Sequence, residues 1–242
     1  ALSGSIIALL LAMYFGFDKL KTKKPIGHFI RAFSASGCVV FYIYGINNLM
    51  LSENIAIAHS APIIAAFLAV PILGERIGIF RTSAILIGFI GVLIIVKPGT
   101  DLFKLESLYP LISACFMASV YLSTRSVMST DSSVAIIFYY SFALLITSLV
   151  FFPSDFIMPN LVQLMFAMSL GIMGSIGHFF MSQAAKNADV AVTSPFEYSS
   201  FIFVGLMGFL IFAEVPTYSI YIGGFIIISS GIFIAYRERK NN

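Results

Sequence analysis

Three features of the sequence predict an all-α protein that crosses a membrane several times. Of its 242 residues, 59% are hydrophobic and only 10% are charged, which is too little polar surface for a water-soluble fold. Apolar stretches of about 20 residues recur, and each is long enough as a helix to cross a hydrocarbon layer of roughly 30 Å. These stretches show no period-two alternation of the kind that membrane β-barrels require. Helices in contact with the lipid bilayer are therefore expected to make up most of the chain.

Charged and turn-rich breaks divide the chain into nine apolar segments. They cover residues 2–16, 27–48, 53–73, 78–97, 106–126, 132–153, 160–184, 188–213 and 217–236. Breaks at Pro98, Pro153 and Pro216 fall where a helix does not continue easily. Because most connections have only a few residues, neighbouring segments are expected to form antiparallel hairpins.

Lys and Arg are distributed unevenly between the two sides of this predicted membrane protein. One side has twelve of them, whereas the other has only Lys97 and Lys104. The positive-inside rule then predicts that the 17–26 loop and the C-terminus are cytoplasmic, in a multi-pass protein of the cell inner membrane. The twelve are Lys19, Lys21, Lys23, Lys24, Arg31, Arg76, Arg81, Arg125, Lys186, Arg237, Arg239 and Lys240.

Two stretches about 139 residues apart resemble each other. Each has a helix that ends at a glutamate, Glu75 or Glu214, followed by a turn and a glycine-rich helix with Gly91 or Gly231. The charge distribution puts Glu75 inside and Glu214 outside, so the two stretches are expected to be inverted repeats, a recurrent plan of secondary transporters. The alternative role of both glutamates is structural, as solvated carboxylates that mark a turn.

A repeat unit of five spans accounts for this inversion, because an odd number of crossings reverses the second copy. We therefore predict a ten-helix fold with two inverted halves, residues 1–100 and 101–242. Nine of the ten helices are expected in this chain. The first half is expected to lack its first helix and part of its second.

The motifs SPFEYSSFIFVGLMGFLIFAEVPT at 194–217 and SAPIIAAFLAVPILGERIG at 60–78 resemble the two repeats of EamA-type members of the drug/metabolite transporter superfamily. The resemblance implies alternating access around a midplane cavity lined mainly by segments two, three, seven and eight. It implies secondary transport of a small organic solute, such as an amino acid, a nucleotide-like metabolite, a vitamin or a drug. No cofactor is expected, and protons are a candidate coupling ion.

Ionisable groups within membrane spans are costly and are therefore the first candidates for a substrate site. Glu197 lies about nine residues into segment eight, after Pro195, which removes one backbone hydrogen bond and can open the helix. Its alternative role is a protonated or paired carboxyl that holds two helices together. The offset between the repeats places His59 opposite Tyr198, and we include both as substrate-binding candidates.

Four further residues complete the predicted substrate site. Arg31 would attract an anionic or carboxylate-bearing solute if it points inward, or it could snorkel to the cytoplasmic interface. His178 follows glycines spaced three residues apart, a pattern that favours close helix packing over a binding role. Tyr42 and Tyr140 could stack on a planar ligand, or pack as core aromatics.

Other functions fit the sequence less well. An intramembrane hydrolase is the enzyme alternative, but the chain has no His-Glu-x-x-His and no Gly-x-Ser-x-Gly, and Ser175 near His178 lacks a third orienting group. A membrane scaffold or channel subunit would not need Glu197 at depth. No metal site is expected, and the positive charge lies in short loops, which does not suit nucleic acid.

Overall fold

The computed structural model describes residues 1–73, 79–97, 104–128, 130–151, 158–187, 199–213 and 215–241. Within these ranges the chain is α-helical, with short 3-10 segments at Phe17–Leu20 and Leu105–Ser107 and no strand. The α-helices in these ranges are α1 (Leu2–Phe15), α2 (Pro25–Asn48), α3 (Leu51–Ala58), α4 (Ala61–Leu73), α5 (Ile79–Val96), α6 (Leu108–Met128), α7 (Ser133–Val150), α8 (Leu161–Asn187), α9 (Ser199–Phe212) and α10 (Tyr218–Asn241). The predicted all-α class is confirmed for this part of the chain.

The predicted segments agree with these helices except at the third. Segment 53–73 forms two helices, α3 and α4, which are separated by a turn at His59 and Ser60. The physical reason is Pro62, which has no N–H to offer the carbonyl of Ala58.

Several predicted residues fall outside the described ranges. Segment 188–213 is described only from Ser199 onward, so the substrate-site candidates Glu197 and Tyr198 cannot be placed. The two glutamates of the predicted repeats, Glu75 and Glu214, also lie outside the described residues. Their roles stay predictions.

Four regions of the described chain are helical, long and apolar enough to cross a membrane, and they make this a multi-pass membrane protein. They are Pro25–Asn48, Leu105–Met128, Ser133–Val150 and Leu161–Ala184. Shorter apolar helices occur at Leu2–Phe15, Thr82–Val96 and Tyr218–Ile234. Many large apolar side chains are exposed, most densely along α8, as expected of a surface that lipid covers.

The chain forms two compact units. Unit 1 contains Ala1–Ser36 and Ser123–Asn187, and unit 2 contains Gly37–Leu122 and Ala188–Asn242. Each unit takes helices from both predicted sequence halves, and α2 and α6 contribute to both units. The division into repeats at residues 1–100 and 101–242 stays a prediction.

Unit 2 is built on a close crossing of α5 and α10. A Cβ at Gly91 would lie 2.8 Å from the carbonyl oxygen of Gly223, and a Cβ at Gly223 would lie 2.6 Å from that of Gly91. Only glycine at both positions allows the two backbones to approach this closely. The buried aliphatic core of unit 2 consists of Ala56, Ile57, Ile63, Ala84, Ile85, Val92, Ile95, Val96, Ile220, Ile227 and Ile234.

Unit 1 packs α1 against α7 and α8. A Cβ at Gly171 would collide with the hydroxyl of Ser3, so this glycine allows α1 and α8 to approach. By contrast, Gly174 and Gly177 have no described neighbour within 4 Å of a Cβ. Of the three glycines that precede His178, only Gly171 therefore allows close helix packing within the described residues.

Candidate functional site

Arg31 lies inside unit 1, about 9 Å along α2 from its first residue. Its side chain is 2% exposed. Nε donates a hydrogen bond to Thr124 Oγ1 at 2.9 Å, and Nη1 donates to the carbonyl oxygen of Ile136 at 3.5 Å. The guanidinium therefore points among the helices of unit 1. Whether Arg31 binds a solute or serves the cytoplasmic interface stays a prediction.

Local helix geometry explains why these groups meet. The first turns of α2 pack on the last turns of α6, where a Cβ at Gly27 would lie 2.8 Å from Val127 Cγ2. Thr124 is about one turn before Val127, so it faces Arg31 about one turn after Gly27. The first turn of α7 is stabilised by Ser132, whose Oγ accepts a hydrogen bond from the Ala135 N–H at 3.2 Å.

Two aromatic rings extend this contact. Arg31 Cζ lies 5.6 Å from the centroid of the Tyr140 ring, which is within the range of a cation–π interaction. The His178 ring lies on the same tyrosine, with 4.1 Å between the centroids and an angle of 53° between the planes. Three of the predicted site residues thus come together, from α2, α7 and α8. We call Arg31, Thr124, Tyr140 and His178 the Arg31 cluster.

The charge of Arg31 has no acidic partner among the described residues. The ion pairs found in this part of the chain are Lys21 with Asp18, His28 with Asp131, and Lys104 with Glu53. A permanent cation that is removed from water without an anion nearby is costly, and a bound anion offsets that cost. The cluster thus supplies a planar hydrogen-bond donor for an anionic group and aromatic faces for a flat ring.

His59 and Tyr42 belong to unit 2 and not to the Arg31 cluster. His59 lies at the break between α3 and α4, with Nδ1 2.7 Å from the carbonyl oxygen of Ile55 and Nε2 2.9 Å from Ser200 Oγ. Because a carbonyl only accepts hydrogen bonds, Nδ1 donates to Ile55, and Nε2 shares a second hydrogen bond with the Ser200 hydroxyl. His59 thereby joins the end of α3 to α9. Tyr42 is partly buried on α2.

Sequence reasoning missed a second polar group in unit 1, formed by His28 and Asp131. His28 Nε2 and Asp131 Oδ2 are 2.9 Å apart, and their side chains are only 4% and 1% exposed. Asp131 also accepts hydrogen bonds from the hydroxyl of Thr22 and from the backbone N–H of Lys23. The available signal was an aspartate directly before the Ser132 cap of a predicted helix, but nothing local indicated its partner.

The charge state of Asp131 follows from these contacts. Burial by itself raises the pKa of the Asp131 carboxyl, but hydrogen bonds from Thr22, Thr130, His28 and the Lys23 backbone outweigh burial and lower it to about 2. Asp131 is therefore ionised at neutral pH. A buried carboxylate beside a histidine is a group that can respond to pH.

Comparison with known proteins gives relatives over nearly the whole chain. The EamA-like transporter family matches residues 1–97 and 105–236. The S-adenosylmethionine uptake transporter of Rickettsia prowazekii (strain Madrid E) is 29% identical over 237 residues, which cover 98% of this chain and 81% of that protein. The riboflavin transporter of Vibrio cholerae is 28% identical over 227 residues, covering 93% and 76%. One solved crystal structure has the same fold, with a TM-score of 0.66 and 17% identity, and the match covers 99% of this chain and 86% of that one.

Proposed function

Because the chain belongs to the EamA-like transporter family, we propose that it is a secondary transporter that works by alternating access in the cell inner membrane. At the level of class, the protein is a multi-pass transporter of a small organic molecule and not an enzyme. The proposal adds a midplane binding site, a cytoplasmic C-terminus and a solute of defined chemistry. The twelve-to-two distribution of Lys and Arg supports the orientation.

The buried charge of Arg31, which has no acidic partner among the described residues, is the observation that supports the binding site. In our proposal, the guanidinium binds a carboxylate of the solute, since its fork of N–H groups matches two carboxylate oxygens. Thr124 orients the guanidinium through its hydrogen bond to Nε. Tyr140 and His178 provide the faces on which a planar part of the solute stacks.

The solutes named for the relatives differ in the features that this cluster would recognise. S-adenosylmethionine has both a carboxylate and a planar adenine ring, whereas riboflavin has a planar ring and no carboxylate. A cation with no described anion beside it favours the first kind of solute. We therefore propose a carboxylate-bearing small molecule with a planar ring as the substrate class.

The other predicted residues keep separate roles in the proposal. Glu197 is proposed to carry a proton or to pair with a cationic group of the solute, and Tyr198 to line the same span. His59, at the break between α3 and α4, and Tyr42 are proposed to line the part of the path that unit 2 forms. Helix breaks within membrane spans are typical of transporter binding sites, which supports the choice of His59.

The test is solute binding and uptake with purified protein in vesicles. S-adenosylmethionine and adenosine share a ring, but only the first has a carboxylate, so we expect thermal stabilisation and saturable uptake with the first alone. Arg31→Lys keeps the charge but not the planar fork, and affinity should fall by at least about tenfold; Arg31→Gln should abolish binding. Lys21→Gln removes one exposed positive charge from the neighbouring loop and is the control.

Three outcomes separate the possibilities. Equal binding of adenosine and S-adenosylmethionine, or normal uptake by Arg31→Gln, would refute the role of Arg31. Flux that does not saturate with solute concentration would favour a channel. Absence of uptake for every solute that stabilises the protein would contradict secondary transport and favour a scaffold.

A further inference from the structure

A set of hydrogen bonds in unit 1 joins the loop before α2 to the region around the start of α7. These bonds run from Ser132 Oγ to the Lys19 carbonyl (2.6 Å), from Tyr139 OH to the Leu20 carbonyl (3.1 Å), from the Lys23 N–H to Asp131 Oδ1 (3.3 Å) and from Lys24 Nζ to the Ser126 carbonyl (2.7 Å). We call this set the loop contact. The Lys and Arg distribution predicts that it lies at the cytoplasmic side.

The His28–Asp131 pair adjoins the loop contact through Asp131, and its two side chains are only 4% and 1% exposed. A carboxylate only accepts hydrogen bonds, so Nε2 of His28 must carry the proton that points at Asp131 Oδ2. The other ring nitrogen, Nδ1, then has a free lone pair. It is buried and has no hydrogen-bond partner among the described residues.

An unprotonated ring nitrogen that is buried beside a carboxylate is a place where a proton can bind. Protonation at Nδ1 would convert a hydrogen bond between a neutral imidazole and the carboxylate into an ion pair between imidazolium and carboxylate, which is stronger in a low-dielectric setting. His28 also lines a cavity of about 290 Å³, which is large enough to hold water beside this residue. The other lining residues are Thr22, Pro25, Phe29, Ala32 and Tyr139.

The groups that surround His28 act in both directions. Asp131 favours the imidazolium, whereas burial of the ring and the charge of Arg31, about one turn further along the same helix, oppose it. Tyr139 of α7 places its ring 4.6 Å from the His28 ring. Lys24, in the loop that leads into α2, has its ammonium group bound at Ser126. Asp131 is the acidic group in direct contact, and at 2.9 Å it is the nearest of these charges.

We propose that His28 and Asp131 form a proton-binding site that strengthens the loop contact when His28 is protonated and weakens it when His28 is neutral. Proton binding would then control the opening of this end of unit 1 and make transport depend on cytoplasmic pH. Only this second step depends on the proposed transport function. The proton site itself can be tested without any solute.

The first test follows hydrogen exchange of the 17–26 loop in the complete chain, corrected for intrinsic exchange rates. We expect protection to be at least about tenfold higher near about pH 5.5 than near about pH 7.5. His28→Gln keeps an N–H donor near Asp131 but does not titrate, so its protection should not change with pH. Asp18→Asn is the control. It removes the ion pair between Asp18 and Lys21 in the same loop, which is 2.6 Å long but has side chains 86% and 82% exposed. This variant should therefore behave like the parent.

The second test titrates the histidines of the unmodified protein and uses variants only to assign the signals. The chain has three histidines, so ring signals in the unmodified protein can be followed by NMR and assigned from single variants. The signal that disappears in His28→Gln should titrate between about pH 5 and about pH 8. A His28 ring that does not titrate, or a pH-dependent loop protection that persists in His28→Gln, would overturn the proton site.

Uptake measurements separate this proposal from the transport proposal. If loop protection changes with pH but no solute is taken up, the proton site stands and the transport function fails. If uptake occurs and has the same pH profile in the parent and in His28→Gln, transport stands but its control by His28 is refuted. If the pH dependence of uptake is lost in His28→Gln and retained in Asp18→Asn, the coupling is supported.

Discussion

Unit 1 and unit 2 differ in whether a buried charged side chain has an oppositely charged partner. In unit 2, Glu53 is nearly buried and is paired with Lys104 at 3.1 Å, so its charge is balanced where it lies. In unit 1, Arg31 is as deeply buried, but no described carboxylate balances it. A balanced pair needs nothing further, whereas an unbalanced cation is stabilised by a bound anion. We propose that unit 1 is therefore the unit whose buried charge a bound ligand balances.

The two units also differ in the side chains that form their cores. Unit 2 has a continuous aliphatic core around the Gly91–Gly223 crossing. Unit 1 buries the polar side chains of Ser5, His28, Arg31, Ser34, Ser36, Thr124, Ser133, Ser141, Ser175 and Ser182. Unit 2 also buries polar side chains, those of Ser52, Glu53, Asn54, Ser60, Ser107, Ser113 and Ser230. Aliphatic packing gives stability without specific partners, whereas polar groups specify partners. We therefore regard the glycine crossing and its aliphatic core as the scaffold of unit 2, and we propose the Arg31 cluster as the recognition site of unit 1.

The largest expected effect is that of Arg31→Met. Solute uptake should fall by at least about a hundredfold, since the charge and the hydrogen-bond donors are removed. The solute-free protein should become more stable by about 1–3 kcal/mol, because a buried unpaired charge is replaced by an apolar side chain of similar length. Uptake in vesicles and unfolding in detergent measure the two effects. A less stable protein with normal uptake would make Arg31 a structural residue and remove the contrast between the units.

The second effect tests the packing of the units. Gly91→Ala in unit 2 should cost about 1–3 kcal/mol, because the new Cβ meets a backbone oxygen that cannot move alone. Gly174→Ala in unit 1 should be neutral or stabilising by up to about 1 kcal/mol, because nothing described lies within 4 Å and alanine favours a helix. Unfolding of both variants measures the difference. Equal losses would show that the close crossing is not what holds unit 2 together.

The third effect concerns pH and is confined to unit 1. The pKa of Asp131 in the folded protein is about 2, below its value of about 4 in the unfolded chain. Its contribution to stability is therefore present above about pH 4 and is lost as pH falls towards 2. Asp131→Asn should be less stable than the parent at neutral pH and should lose less stability over that window. A parent and variant with parallel stability curves would contradict the hydrogen bonding described for Asp131.

The smallest expected effect is that of Lys104→Met in unit 2. The Lys104 side chain is 49% exposed, so in the variant water can take its place beside the Glu53 carboxylate, and the pair should contribute no more than about 1 kcal/mol. Added salt should weaken that contribution further. Stability of the parent and of Lys104→Met at low and high salt measures it. A loss as large as that of Gly91→Ala would show that unit 2 also depends on a specific charge.

The helix pattern was predictable from the sequence because it depends on local properties. The predicted segment 27–48 became Pro25–Asn48, and 132–153 became Ser133–Val150. The break at His59 was not predicted, although Pro62 was a visible cause. An apolar run reports only that a segment suits lipid, and a proline in the first turn of a helix is compatible with a continuous span or with two helices.

The candidate site was predictable only as a set of residue types. Arg31, Tyr140 and His178 were singled out one by one, but their meeting was not foreseen. His28 was passed over because its partner Asp131 is 103 residues away in the chain. No periodicity or spacing reports a contact at that separation, because it depends on how α2 packs against α6 and α7.

The sequence by itself determined that the chain enters a membrane as helices and that it resembles a transporter family. Hydrophobic length and motif identity are properties of short stretches, and the bilayer acts on each stretch separately. Only the tertiary structure decided that Arg31 points inward, with no acidic partner among the described residues, and that His28 contacts Asp131. The cost of a buried polar group depends on which partner lies beside it, and packing alone determines that partner.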